Sequence, residues 1–398
     1  MTTFVERLFG ILLLFLGLGS CTAALAPFGT EEALRLDNDE KRIWNRAKEE
    51  QKRLDNSGQI YQAAALTAYV NEVAAKITPE PLKQKGLSFQ IKIIKNPLLN
   101  AFAFPHGVIY IHTGMLARME NEAQLAAILG HEMNHVVRRH MVQQIRAVQN
   151  AAGTLSALQV VLLPLGAVGS IGQLLGAVGA VAAVSGYSKA AEEESDREGL
   201  AWMVAAGYDP REAPKLFDYL KRDIEELKKD EPFFFGSHPR VVERQDSYNR
   251  LLQTRYRDVK GIAETERFMD SVLLVLLDNA AMDLSFGRFA LAQETIEKFL
   301  KRQPDSARAY FTLGEVYRQR NQKDDVEKAE KHYRQASQFD AAYAPPYRGL
   351  GLIWLKQGHK KQAREAFEKY LSLAPQAEDK GYIQQYLQDL PSSEANAS

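Results

Sequence analysis

Apolar positions along this chain change period several times, and each change marks an element. From about Glu40 to Ile77 they follow helical spacing on a charged background: Ile43, Trp44 and Ala47, then Leu66, Tyr69, Val70, Val73 and Ile77. Pro79 and Pro81 stop that pattern. The period then drops to two, with Phe89, Ile91 and Ile93 alternating with Gln90 and Lys92 as in a half-buried strand. Asn100–Phe104 and Val108–His112 are two further apolar runs, and Pro105-His106-Gly107 between them predicts a hairpin turn. The Val108–His112 strand is read as the sheet edge, free to pair with an extended peptide, with an ordinary interior strand as the equal alternative. Thr113-Gly114 leads on to a second helical pattern. Asn121 and Gln124 form a capping pair at its start, and Leu125, Ile128, Leu129 and Val136 give its apolar face.

Ala147 to Ser188 carries no charge and is rich in Gly, Ala, Leu and Val. Its length allows a membrane span over residues 155–184, but Pro164 and glycines 166, 169, 172, 176 and 179 interrupt it. No basic flank appears before Lys189. We therefore expect a non-spanning flap, buried or lying on a membrane surface. An acidic helix start follows, Glu192-Glu193-Glu194-Ser195-Asp196.

From Met269 the pattern repeats. Tyr347, Leu350, Gly351, Trp354, Gly358, Ala363, Phe367 and Pro375 fit the tetratricopeptide motif position by position. Tyr310, Leu313, Gly314 and Tyr317, completed by Ala329, Tyr333 and Ala336, make the unit before it. Gly287, Ala292, Phe299 and Pro304 mark an earlier, degenerate one. About three repeats over residues 269–376 predict a short solenoid with a concave face for a peptide or partner. Residues 377–398 are expected to be a helix remnant and a disordered tail.

Composition excludes one class of function. The chain has 50 Lys plus Arg against 50 Asp plus Glu, with no basic tract, so nucleic acid is not an expected partner. It has one cysteine, Cys21, so neither a disulfide within the chain nor a cysteine zinc site is possible. Cys21 ends a short apolar stretch, Leu8 to Gly19, closed by small residues. That arrangement reads as an export signal over residues 1–20. It resembles a bacterial lipobox, which implies acylation at Cys21 and a tether over residues 21–40, with Thr22 favouring the outer membrane.

The chemistry centres on His131-Glu132-Met133-Asn134-His135, an H-E-x-x-H run inside the second helical pattern. Two histidines four apart lie on one helical face and can reach one ion. Glu132 lies about 100° around the axis, placed to take a proton from water at the metal. His140, nine residues past His131, falls on the opposite face of a continued helix and is expected at the surface or outside the ligand set. Glu192 and Asp196, four apart, suit a third ligand and a partner for a ligand's free ring nitrogen. By spacing, Glu193 and Glu194 are equal alternatives to Glu192. His238, after Phe233–Phe235 and with Arg244 nearby, is a further candidate.

In order along the chain, Asn100–Ala103, Thr113-Gly114, Asn121-Glu122, His131–His135, Glu192-x-x-x-Asp196 and His238-Pro239 with Arg244 resemble a zinc metallopeptidase family. That family includes the CAAX prenyl endopeptidases, the HtpX membrane proteases and the periplasmic BepA-like proteases, and the resemblance spans about residues 40–255. It implies one Zn2+ held by His131, His135 and Glu192, with Glu132 catalytic and Asp196 and Arg244 behind the ligands. It implies that His238 approaches the metal as an oxyanion stabiliser or as a reversible fourth ligand. Ser188-Lys189 departs from the family's Ser-Arg, which questions a local ion pair.

The expectation is therefore an α+β protein. A mainly helical zincin-type domain with a small sheet, residues 41–260, precedes an all-α tetratricopeptide solenoid. The implied function is an exported, lipid-anchored zinc endopeptidase on the periplasmic side of the outer membrane. It would cleave misassembled envelope proteins in quality control, its repeats recruiting protein substrates or outer-membrane assembly machinery. The rival readings are a chaperone or assembly factor acting through the repeats and an integral inner-membrane protease.

Overall fold

The computed structural model describes residues 25–28, 36–152, 176–184, 186–227, 238 and 241–390. The export signal, Cys21, most of the uncharged stretch, Phe233–Phe235 and the last eight residues lie outside them. Contacts divide the chain into two compact units, Met1–Val272 and Leu273–Ser398. The architecture is the expected α+β unit followed by paired helices.

The first unit runs α1 (Asn38–Asp55), α2 (Ala64–Ile77), α3 (Glu80–Gln84), β1 (Gln90–Ile94), β2 (Ala101–Ala103), β3 (Val108–His112) and α4 (Thr113–Arg118). It continues with α5 (Glu122–Val137), α6 (His140–Ala152), α7 (Ala177–Val184), α8 (Lys189–Ala205), α9 (Lys215–Leu227) and α10 (Val241–Gln253). The helical pattern from Glu40 to Ile77 is two helices. Asn56-Ser57-Gly58 ends α1, and Ile60 then bridges Ile94 beside the sheet.

Helix α5 is the axis of this unit. Every residue from Glu122 to Val137 is buried, the mark of a core helix rather than a surface one. Its start is as expected: the Asn121 side chain accepts from the Gln124 amide at 3.0 Å, and the Gln124 side chain accepts from the Glu120 amide at 2.8 Å.

The sheet corrects one expectation. Its order is β1-β3-β2, with β1 parallel and β2 antiparallel to β3, so Val108–His112 is the central strand and not an edge. The hairpin forms as expected, with Gly107 at φ 93 in the turn. But β1 occupies the other side of β3, a long-range pairing that local alternation does not reveal. The outer side of β1 is itself engaged, with the Tyr61 amide on Ile93 O and the Lys95 amide on Gln59 O, both at 2.8 Å. Among the described residues, no strand lies on the outer side of β2.

Part of the expected tether is packed. The Phe28 amide donates to Val137 O at 2.8 Å, and the Phe28 ring meets Trp44 edge-on at 5.8 Å. Arg139 holds Ala26 O at 3.2 Å and pairs with buried Glu40. Of the uncharged stretch, α7 is buried through Val178, Val181 and Ala182 against Ile43, Phe102 and Met141. The carboxylate of Glu50 accepts from the Gly179 amide at 2.6 Å near its start. No helix of the described residues is long and apolar enough to cross a membrane.

Helix α11 (Thr265–Ser285) contains the division between the units. The second unit continues with α12 (Phe289–Leu300), α13 (Ala307–Arg320), α14 (Asp325–Phe339), α15 (Pro345–Lys356), α16 (Lys360–Leu373) and α17 (Lys380–Asp389). Tyr333 and Phe367, both repeat-motif positions, are fully buried there and fill the seams between helices. The C-terminal remnant is α17, closed by Ile383 and Leu390 against Phe367 and Tyr370.

Candidate metal centre

Two helices build the site. α5 carries His131, Glu132 and His135; α8 carries Glu192 and Asp196. They cross where Gly130 faces Gly199. A Cβ on Gly199 would stand 2.7 Å from the His131 nitrogen, so only bare backbone permits this approach. The small residues at the crossing let the side chains that follow Gly130 on α5 meet those that precede Gly199 on α8.

The donor atoms of His131, His135, Glu192 and His238 all lie within 4.8 Å of one another, and all four residues are buried. His131 Nε2 stands 3.0 Å from His135 Nε2, 3.1 Å from His238 Nδ1 and 3.6 Å from a Glu192 oxygen. Glu192 Oε1 is 3.6 Å from His135 Nε2 and 3.2 Å from His238 Nδ1. Ligands about 2.0–2.1 Å from one tetrahedral ion are separated by about 3.3 Å, so the spacing matches a four-coordinate shell. Lone pairs aimed at one point without a proton to share repel, and a cation relieves that. Burial pushes the His131, His135 and His238 pKa values below the usual range, which favours the neutral imidazole, the form that ligates. The residues present fit a metal.

Behind the donors stand the partners that aim them. Asp196 Oδ1 lies 2.8 Å from His131 Nδ1, which fixes His131 with its lone pair on Nε2. Arg244, on α10, grips Asp196 with two bonds of 2.8 and 2.7 Å and lies 2.9 Å from Glu192 Oε2. Against the cost of burial, Arg244 and His131 hold the Asp196 carboxyl well below the usual carboxylate range. Glu193 and Glu194 are outside the donor cluster, with side chains 48% and 30% exposed. Lys189 does find partners, Glu193 at 3.8 Å and Glu243 at 3.1 Å.

Glu132 is fully buried, its Oε1 3.3 Å from His238 Nε2 and without a hydrogen-bond partner among the described residues. Burial, reinforced by the Glu192 carboxylate, pushes its pKa well above the ordinary carboxylate value. The His238 ring also hydrogen-bonds the Ala101 backbone, which puts it beside the outer strand β2.

These features match a known domain. Residues 61–250 match the description Peptidase family M48, and residues 283–345 and 344–377 match tetratricopeptide repeats. The chain carries a peptidase family M48 domain followed by tetratricopeptide repeats. The matched residues span the motifs from Asn100 to Arg244. The beta-barrel assembly-enhancing protease of Escherichia coli (strain K12) is 27% identical over 209 residues, which is 51% of this chain and 42% of that protein. The mitochondrial metalloendopeptidase OMA1 of Schizosaccharomyces pombe is 30% identical over 179 residues, 45% of this chain and 50% of that protein. OMA1 of Arabidopsis thaliana is 32% identical over 136 residues, 34% and 26% respectively. The chain spans less than two thirds of the length of the curated relatives it matches.

Two residues beside the donor cluster escaped the sequence reading, and a third had two places left open. Tyr187 stacks on His135 with centroids 3.9 Å apart. Tyr248, one turn past Arg244, donates to Asp196 at 3.1 Å; that i, i+4 spacing from Arg244 was a signal available in the sequence. His140 is the third. It is buried, its Nδ1 3.0 Å from His135 Nδ1, so of the two expected places it takes the one behind the ligands and not the surface. Helix α5 ends at Val137 and Arg139 takes φ 59, so the helical extrapolation past His135 fails.

Proposed function

We propose that this protein is a zinc-dependent endopeptidase, with His131, His135 and Glu192 as metal ligands and Glu132 as general base. The observation that carries the reading is the buried set of N and O donors at tetrahedral spacing, with Asp196 orienting His131. Such a borderline donor set suits zinc. When bound there, zinc supplies Lewis acidity toward a peptide carbonyl and toward water. Glu132, its proton affinity raised by burial, takes the proton from the attacking water and returns it to the leaving amine nitrogen. The outer side of β2, next to His238, is the side on which an extended substrate backbone can align.

We assign His238 the role of a reversible closing ligand. Its Nδ1 points at His131 and Glu192 and completes four donors, whereas a hydrolytic zinc site keeps one position open. The protein is thereby latent until His238 withdraws. The substrate class is protein, recruited with the help of the repeats. The name of the E. coli relative supports an envelope role, with export and lipidation through Cys21 as part of the same proposal.

The test is cleavage of casein by the metal-loaded protein with and without a chelator, beside His238→Ala. Cleavage that the chelator stops and that His238→Ala raises supports the reading. Cleavage insensitive to the chelator, or none in either protein, contradicts it.

A further inference from the structure

The two α5 histidines are held from behind in different ways. His131 meets a carboxylate directly, at Asp196. His135 meets another imidazole. Its Nε2 faces the donor cluster, 3.0 Å from His131 Nε2 and 3.6 Å from Glu192 Oε1, so its proton belongs on Nδ1. That Nδ1 lies 3.0 Å from His140 Nδ1. One of the two facing atoms must donate and the other accept. With the His135 proton on Nδ1, His140 is the acceptor and carries its own proton on Nε2.

His140 Nε2 finds an acceptor for that proton. It stands 3.2 Å from Glu194 Oε2, and Glu194 lies 3.3 Å from Arg138. Ser195 Oγ, 3.3 Å from His140 Nδ1, is a second donor to the same lone pair and leaves the polarity of the chain unchanged. Tyr187 stacked on His135 at 18° fixes the ring plane that the hydrogen bond then aims.

We propose that His140 is a positioning residue of the metal centre: it accepts from His135 Nδ1, fixes His135 with its lone pair on Nε2, and is itself fixed by Glu194. This rests on the zinc reading above and deepens it. The two ligands differ in consequence. His131 is anchored to a fully buried carboxylate, while the anchor of His135 runs through His140 to a side chain that solvent reaches. Glu194, although not a ligand, then acts at the metal through His140. His140 itself touches no substrate.

The relevant experiment is the rate of zinc release to a chromogenic chelator from the full chain, comparing His140→Asn with His140→Leu. The two replacements have nearly the same shape, and only Asn offers an acceptor where His140 has Nδ1. The expected result is release within a few-fold of the parent for His140→Asn and about 10–100-fold faster for His140→Leu, the usual effect of losing an outer partner of a metal-bound histidine. Equal release from both would overturn the proposal, whether both match the parent or both are impaired, since the acceptor would then be irrelevant. Glu194 gives a second pair on a tolerant, partly exposed site. Glu194→Gln keeps an acceptor for His140 and should match the parent, whereas Glu194→Leu should release zinc several-fold faster; identical behaviour would break the link to Glu194. The visible spectrum of the cobalt-substituted protein adds a reading of ligand geometry, changed in His140→Leu and unchanged in His140→Asn. Failure of the parent to bind zinc at all would overturn the metal reading itself, a result distinct from parent-like behaviour of the variants.

Discussion

Asp196 Oδ1 sits 2.8 Å from His131 Nδ1, and the same carboxylate is held by Arg244 and Tyr248. One buried cation thus supports two buried carboxylates, Asp196 and Glu192. Arg244→Leu would leave both without it. The expected cost is about 3–5 kcal/mol of stability, the usual result of removing one partner from a buried ion pair, and a loss of metal affinity besides. Urea unfolding of the metal-free protein isolates the first effect; an unchanged midpoint would show that Arg244 does not hold the site together.

This part of the site was legible because helical spacing is arithmetic. Glu192 and Asp196 are one turn apart, and so are His131 and His135, so facing helices bring four functional groups together. What spacing cannot supply is where a helix ends or which partner a strand chooses. His140 was left between the surface and a place behind the ligands because spacing does not show that α5 stops at Val137, and Val108–His112 was misplaced because β1, from earlier in the chain, takes its other side. The choice of Glu192 over Glu193 and Glu194 needed the resemblance to a family.

Gly199 is a second test of the geometry. A methyl group there would collide with the His131 nitrogen and with the Gly130 carbonyl carbon at 2.8 Å, both backbone atoms that cannot rotate away. Gly199→Ala should force α5 and α8 apart, costing about 1–3 kcal/mol and weakening zinc retention together. A thermal melt and a chelator titration would show this. Wild-type values in both would mean the crossing has slack.

Glu132→Gln separates chemistry from binding. Glu132 is outside the ligand set, so the variant should keep its zinc while peptide cleavage falls by about 10²–10⁴-fold, the range expected when a general base is removed. Metal content and turnover measured on one preparation decide it. Substantial residual turnover would take the general-base role away from Glu132.

Acid should weaken the fold through His112. This residue is fully buried, its Nδ1 on the Leu98 carbonyl at 3.2 Å, and burial lowers its pKa to about 4. The folded state therefore keeps His112 neutral while the unfolded chain takes up a proton near its ordinary value of about 6.5. Its contribution is fully present above that value and is lost as pH falls from about 6.5 to about 4, up to about 3 kcal/mol. The metal-free protein should show a falling thermal midpoint across that window, and His112→Gln should flatten the fall. Equal slopes for the two proteins would assign the acid sensitivity elsewhere.

The most direct measurement is metal content by mass spectrometry on the purified chain, beside His135→Ala and Glu192→Ala, with casein cleavage assayed on the same samples after His238→Ala is introduced into each. The account predicts close to one zinc per parent chain and little in either ligand variant, with cleavage disappearing alongside the metal. A parent protein that binds no zinc, or a Glu192→Ala variant that keeps both zinc and cleavage, would contradict it.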